Sequence, residues 1–303
     1  MMKILLAALT VLSSIVVTSA QNNITRQVKG PEALEIRELT LKVGAKKKFE
    51  ALLLSDTHLT AFDNRDEEKK ARLARYRNME FPWAEYYLRQ QLAYAHKHDL
   101  PILHAGDLID FVSEMNLDQT VALFSEADWL LTTAGNHEFA HYMGYFGREK
   151  EDHAYKMRSY AHVQEAFPYD FKLSSKIVGG VNIVALDNSF YNVSEEQWDL
   201  FKKEIDKGFP IVLLVHIPFF TQGLYEDGLR LGRKYSALCG TASEGADETT
   251  LAFISWLKEQ PALKAILCGH LHMFWTEQFS PTAVQYVVGG ACKGQGYHIT
   301  FRK

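Results

Sequence analysis

Short apolar runs that stop abruptly at polar residues recur along the chain, and most are followed by stretches with apolar positions three and four apart. In the first half, "ALEIRELTLKVGAKKKFEALLLSD" predicts two strands joined by a turn at Gly44-Ala45-Lys46, the second running out at Asp56. The charged run "RDEEKKARLARYR" reads as a solvated helical face, and "FPWAEYYLRQQLAYAHKH" has the spacing of an amphipathic helix. "LPILHAGD" predicts a strand ending at Gly106-Asp107 and, after another helix, "WLLTTAGNHE" a strand ending at Gly135-Asn136-His137. In the second half, "FKLSSKIVGGVNIVALDNS" reads as a hairpin about Gly179-Gly180, and "SEEQWDLFKKEIDKG" as a helix capped by Ser194. "PIVLLVHIP" is then a buried strand ending at His216, "DETTLAFISWLKEQ" a helix, and "ALKAILCGHLH" a strand ending at Gly269-His270. "AVQYVVGG" and "GYHITFR" are expected to close the sheet. Alternation of this kind belongs to the α/β class.

The residues at these strand ends share one chemistry. Asp56 and His58, Asp107, Asn136 and His137, His216, then His270 and His272 each follow an apolar strand. One such residue is ordinary, because the chain is leaving the core there. Five strands in succession are not, since the carboxyl ends of strands in open α/β sheets meet at one crevice. In an extended strand, residues i and i+2 point to the same side, so Asp56 and His58 would present an oxygen and a nitrogen to one object. Imidazole nitrogens with carboxylate and amide oxygens suit zinc, iron or manganese, and no cysteine stands at these ends to form a closed structural zinc site. The groups suffice for two ions, with a carboxylate such as Asp107 bridging a separation of ~3.5–4 Å. Gly106, Gly135 and Gly269 would let the chain turn sharply beside them.

Composition narrows the class. With 303 residues, 47% of them hydrophobic, and no internal repeat or Pro-, Gly- or Ser-rich linker, one domain is expected over residues 21–303. The 33 basic and 37 acidic residues leave a net charge of −4, so no basic field points to nucleic acid, and a small substrate is expected. Residues 1–20 carry Lys3, an apolar run from Ile4 to Val17, and Thr18-Ser19-Ala20. That is the pattern of a secretory signal peptide, with an apolar run short for a membrane span. A mature chain beginning near Gln21, secreted or periplasmic and without a membrane anchor, is the expectation. The odd count of cysteines, Cys239, Cys268 and Cys292, excludes a disulfide framework. Cys268 reads as a buried thiol, and a Cys239–Cys292 bridge stays open. Asn23 and Asn192 fit the glycosylation pattern.

In chain order, Asp56-x-His58, Gly106-Asp107-x-x-Asp110, Gly135-Asn136-His137-Glu138, His216 and Gly269-His270-x-His272 resemble the calcineurin-like metallophosphoesterase family, from about Phe49 to about His272. The resemblance implies a four-layer α/β/β/α sandwich with a binuclear metal site at the strand C-terminal ends. It implies a first metal on Asp56, His58, Asp107 and His272, and a second on Asp107, Asn136, His216 and His270. The two divalent or mixed-valence ions would be Mn, Zn or Fe, presenting a bridging hydroxide to a phosphoester. His137 would contact the phosphoryl group or protonate the leaving oxygen, oriented by Asp110, and a histidine paired with an acid stays protonated near neutral pH. Glu138 is left between a supporting role behind the ligands and one at a helix N-terminus. Purple acid phosphatases differ, having a tyrosine ligand where this chain has Asp110 and no histidine at the place of His58. Proteins of this fold that act as interaction scaffolds have lost ligands, whereas every ligand position is filled here.

The expected activity is therefore metal-dependent hydrolysis of a small phosphoester. The motifs do not specify the leaving group. Specificity is expected from "HEFAHYMGYFGRE" and from residues 217–245. Phe139, Tyr142, Tyr145, Phe146, Phe219 and Phe220, with no evident arginine clamp for a dianion, favour a phosphodiester, and a phosphomonoester is the alternative. His104 is expected in the core or behind a ligand, His96 and His98 on a solvated helix face, and Asp187-Asn188 near the site.

Overall fold

The computed structural model describes residues 31–143, 152–231, 237–240 and 246–303. The signal peptide over residues 1–20, the start near Gln21, the Asn23 sequon, Tyr145, Phe146 and residues 232–236 and 241–245 of the insertion lie outside them. Residues Pro31–Lys303 form one compact unit.

Its strands make two sheets. The first holds β1 (Glu35–Lys42), β2 (Phe49–Leu54), β3 (Ile102–His104), β4 (Trp129–Thr132) and β11 (Gln295–Arg302) in the order β1-β11-β2-β3-β4. The second holds β5 (Leu173–Val178), β6 (Val181–Leu186), β7 (Ile211–Leu214), β8 (Leu263–Cys268), β9 (Trp275–Gln278) and β10 (Val284–Val287) in the order β5-β6-β7-β8-β10-β9. The helices are α1 (Glu68–Glu80), α2 (Ala84–His98), α3 (Glu114–Glu126), α4 (His153–Glu165), α5 (Glu195–Asp206), α6 (Gln222–Arg230) and α7 (Glu248–Lys258).

Alternation along the strands accounts for the layers. Leu52, Leu54 and Ile102 pack with Leu88 and Leu92 of α2 and Leu117 and Leu123 of α3. Their neighbours Ala51, Leu53 and Leu103 face the other way and meet Ile183, Ala185, Val212, Leu214, Ala265 and Leu267 of the second sheet. On that sheet's far face, Val184, Ile211, Leu213 and Ile266 pack with Phe201 of α5 and Phe253 and Leu257 of α7. The result is an α/β/β/α sandwich, with each fully buried Leu or Phe contributing about 1.5–3 kcal/mol.

The sheets add two pairings the sequence did not show. The strands either side of Gly44 are both present but are not neighbours, because β11 lies between them, parallel to β1 and antiparallel to β2. The last two predicted strands do not close one sheet: β10 pairs with β8 and β9 in the second, β11 in the first. Both depend on contacts between distant residues, which local pattern does not carry. The hairpin at Gly179-Gly180 and the Ser194 cap are present as predicted, the latter as a capping box with Gln197. The charged run is not simply solvated, since Lys70, Leu73, Ala74 and Arg77 of α1 are buried. All three cysteines are free and buried, so Cys239 and Cys292 are not bridged. Asn192 is built into the fold, donating to Phe190 O at 3.1 Å and accepting from the Asp247 amide at 3.0 Å. Among the described residues no helix is long and apolar enough to cross a membrane.

The insertion after β7 is anchored by a residue the pattern did not single out. Thr221 precedes α6 without a side-chain cap of its own. Glu277 of β9 takes that role, accepting from the amides of Gly223 (2.9 Å) and Leu224 (2.8 Å), from Thr221 Oγ1 (2.7 Å) and from Trp275 Nε1 (3.1 Å). A carboxylate there satisfies amides that the helix leaves open and complements its dipole. Glu277→Ala is expected to cost about 0.5–2 kcal/mol, the range of a lost cap, read as a lower urea midpoint at unchanged slope. An unaltered midpoint would remove Glu277 from this role.

Candidate metal centre

The parallel strands β2, β3 and β4 of one sheet and β7 and β8 of the other deliver their carboxyl ends to one place. The exits are tied to each other. The Asp56 amide donates to Gly106 O at 2.9 Å, and those of Thr57 and His58 to Asp107 O at 2.8 and 3.0 Å. His216 Nδ1 meets Ala105 O at 2.7 Å, the Gly269 amide donates to His216 O at 3.0 Å, and the Cys292 amide to Asp56 O at 3.0 Å.

The extended i, i+2 geometry expected of Asp56 and His58 is absent. β2 ends at Leu54, and the two residues have left-handed backbones with φ of 57° and 54°. Asp107, His270 and His272 share that conformation, at 57°, 69° and 50°. Left-handed φ costs a non-glycine residue about 1–2 kcal/mol, and such strain concentrates where the surroundings over-determine it. Of the three glycines expected to turn the chain, only Gly106 has a positive φ, 86°. Gly135 and Gly269 act by close approach instead: a Cβ would lie 2.1 Å from Asp107 Oδ1 at the first and 1.8 Å from Ser55 Oγ at the second.

The side chains form two adjoining groups. In one, Asp56 Oδ1 lies 3.2 Å from His272 Nε2, which is 3.0 Å from His58 Nε2. In the other, Asp107 Oδ2 lies 3.2 Å from His216 Nε2, which is 3.2 Å from His270 Nδ1. Asp107 Oδ2 also lies 3.9 Å from His58 Nε2 and 3.8 Å from His137 Nε2, so it borders both. Asn136 stands between Gly135 and His137, whose amide donates to Asp107 Oδ1 at 2.9 Å.

These residues fit two divalent cations. Three groups of ligand-type atoms, those of Asp56, His58 and His272, of His58, Asp107 and His137, and of Asp107, His216 and His270, each lie within 4.8 Å of one another. Imidazole nitrogens facing each other at about 3 Å suit a shared cation. Asn136 Oδ1 is buried without a hydrogen-bond partner, a position natural proteins rarely leave empty. The charges agree. Burial opposes protonation, yet Asp107 raises His216 to about 9 and Asp56 raises His272 to about 10. Burial prevails at His58 and His270, lowered to about 4 and about 3. Two carboxylates that draw protons onto neighbouring histidines make a site that binds positive charge.

Beside this cluster lies a proton-handling group. His137 Nδ1 donates to the backbone O of Asp110 at 2.7 Å and lies 3.2 Å from its Oδ1. Burial would lower its pKa, but Asp107 and Asp110 outweigh it and raise His137 above the usual value. Asp110 Oδ1 also takes His58 Nδ1 at 2.9 Å, so this carboxylate faces two histidines rather than one. Glu138 supports the β3 and β4 exits, its carboxylate accepting the amides of Gly135 (2.6 Å), Asp107 (2.8 Å), Leu108 (2.7 Å) and Ile109 (3.2 Å). Burial and Asp107 raise it to about 7 against the pull of those amides.

Every residue singled out at the strand ends is therefore in one place, and further residues join them. Asn188 Oδ1 accepts the amides of His216 (3.1 Å) and Ile217 (3.0 Å), and the Tyr191 hydroxyl is 3.3 Å from His270 Nε2. Phe81 stacks on His58 with centroids 4.5 Å apart, and Arg77 reaches Asp110. One signal for Arg77 was legible: Leu73, Ala74 and Arg77 share a helical face. His104 is buried against Thr57 Oγ1 at 2.9 Å, and His96 and His98 are exposed. Asp187 pairs with Lys156 at 2.6 Å. Of the aromatics expected to line the substrate, Phe139 and Phe219 are instead buried in the core, Tyr142 is buried with its hydroxyl on Glu67, and Phe220 is half-buried against the core.

The two-sheet sandwich gathers at its strand ends an Asp/His cluster that could hold metal ions, the arrangement of a metal-dependent enzyme. The chain belongs to the calcineurin-like phosphoesterase family, which matches residues 50–274, and it is a hydrolase acting on phosphoester bonds. Similar solved structures include a dimetal phosphatase from Danio rerio, 13% identical with a TM-score of 0.49, covering 81% of this chain and 88% of that one. A 5'-nucleotidase from Candida albicans is 14% identical with a TM-score of 0.42, covering 86% and 47%. An NAD nucleotidase from Haemophilus influenzae is 12% identical with a TM-score of 0.38, covering 82% and 46%. The chain thus spans about half the length of these two nucleotidases. No curated protein matches the sequence.

Proposed function

We propose that the chain hydrolyses a small phosphodiester at this cluster. Asp56, His58, Asp107 and His272 would hold one divalent cation, and Asp107, Asn136, His216 and His270 the other. The observation that carries this reading is the Asp/His cluster, whose ligand-type atoms lie within 4.8 Å of one another in each group, with the buried, unpartnered Asn136 Oδ1 as a further acceptor. Mn, Zn or Fe suits the donors, since the nearby thiol of Cys292 lies 3.9 Å from His272 Nδ1, the nitrogen away from the cluster. When bound, two such ions supply Lewis acidity to a phosphoryl oxygen and lower the pKa of an attacking water. His137, tied through Nδ1, presents Nε2 towards the cluster. Its raised pKa suits it to protonate the leaving oxygen.

Charge, rather than aromatic lining, supports the diester. A monoester dianion demands more positive charge around its free oxygens than a diester monoanion does. Among the described residues, Arg77 and Lys156 are already paired with Asp110 and Asp187. The ratio of kcat/KM for bis(p-nitrophenyl) phosphate to that for p-nitrophenyl phosphate, at one pH and one metal loading, is expected to exceed one. A preference for the monoester would overturn the substrate class and leave the metal assignment standing. The signal-peptide pattern of residues 1–20 supports an extracytoplasmic setting, for which N-terminal sequencing of exported protein should begin near Gln21.

A further inference from the structure

Arg77 has no counterpart among the strand-end motifs, yet its bonds converge on them. It lies in the last turn of α1, 7% exposed, and meets Asp110 with two parallel bonds: Nε to Oδ2 at 2.6 Å and Nη2 to Oδ1 at 2.8 Å. Asp110 is fully buried, and its Oδ1 also lies 2.9 Å from His58 Nδ1 and 3.2 Å from His137 Nδ1. The guanidinium lies 4.9 Å from the centroid of Phe81, the ring stacked on His58, while Nη1 is held by Glu80. Lys70, earlier in α1, donates to Val112 O at 2.5 Å, so the helix grips the loop that carries Asp110 from a second point.

We infer that Arg77 is a positioning residue for this reaction: its planar fork fixes the carboxylate of Asp110, and through it the rings of His58 and His137. The inference rests on the reading of His137 given above. A rigid two-point pair fixes the carboxylate plane, which a point charge such as lysine cannot do. A stabilising role alone would not demand this arrangement, because buried ion pairs are often no better for stability than apolar residues of the same volume. Here the carboxylate shares one oxygen between the fork and two site histidines. Loss of the fork would let Asp110 rotate, leaving His58 Nδ1 without its acceptor and withdrawing the carboxylate from His137, whose Nδ1 would keep only the backbone O of Asp110.

The test uses the metal-loaded protein with a p-nitrophenyl ester and an alkyl ester. Arg77→Lys keeps the charge and loses the fork. It is expected to retain the wild-type metal content and KM while kcat falls ~10–100-fold, the usual range for partners behind metal ligands, with the larger loss on the alkyl ester. Arg77→Leu with Asp110→Asn removes both charges of the pair together and is expected to lose no more than Asp110→Asn alone. Wild-type kcat in Arg77→Lys would overturn the inference. So would loss of metal with unchanged turnover per bound ion, or a double variant ~10-fold or more below Asp110→Asn. Should Arg77→Lys fail to fold, the double variant decides. Unchanged kcat in His137→Ala in the same assay would refute the reading of His137. A large loss there with none in Arg77→Lys refutes Arg77 alone.

Discussion

Asp107→Ala is expected to abolish turnover and to leave less than one firmly held metal ion per chain. Asp107 is the carboxylate that borders both groups, 3.2 Å from His216 Nε2 and 3.9 Å from His58 Nε2. It also anchors the His137 amide at 2.9 Å, so its removal should loosen His137 together with the cluster. The transition-state stabilisation supplied by metal ions amounts to several kcal/mol, and each ~1.4 kcal/mol is tenfold in rate, so the loss should reach ~10³-fold or more. Metal analysis after gel filtration, alongside kcat at saturating substrate, measures both effects. Retention of two ions by Asp107→Ala would place the bridging role elsewhere.

His137→Ala should separate chemistry from metal binding. Its Nδ1 is engaged by Asp110, and its Nε2 is 3.8 Å from Asp107 Oδ2, so the variant asks whether His137 acts on the proton or holds metal. The variant is expected to keep both ions and lose ~10²–10⁴-fold in kcat, the contribution of a positioned general acid. The pH profile gives the sign. Burial lowers the His137 pKa, but Asp107 and Asp110 outweigh burial and raise it, so the acid form persists above the usual histidine range. Activity should therefore decline on the alkaline side as His137 deprotonates, and that limb should be missing from His137→Ala. An unchanged alkaline limb, or a variant that loses its metal, would assign the proton to another group.

The strand-end residues were legible because each follows a short run buried on both faces, and the parallel order of such strands brings their carboxyl ends together. What they do there was less legible. Asp56 and His58 were expected to share a side by strand pleating, whereas left-handed turns direct them, a feature that only the neighbouring backbone enforces. Glu138 looked ambiguous beside His137 because its four amide donors come from Gly135 and from residues 107–109, about thirty positions upstream. Arg77 was hidden by its company: a charged run reads as solvated unless one asks which members share a face with Leu73 and Ala74. Phe139 and Phe219 misled for the opposite reason, since aromatic residues next to a site motif are more often turned into the core.

Metal stoichiometry against activity tests the two-ion site most directly. Protein stripped by a chelator and titrated with Mn²⁺ should show no turnover at the start, gain activity as metal is added, and saturate at two ions per chain. Full activity in the stripped protein, or saturation at a single ion, would contradict a two-metal phosphoesterase built from Asp56, His58, Asp107, Asn136, His216, His270 and His272.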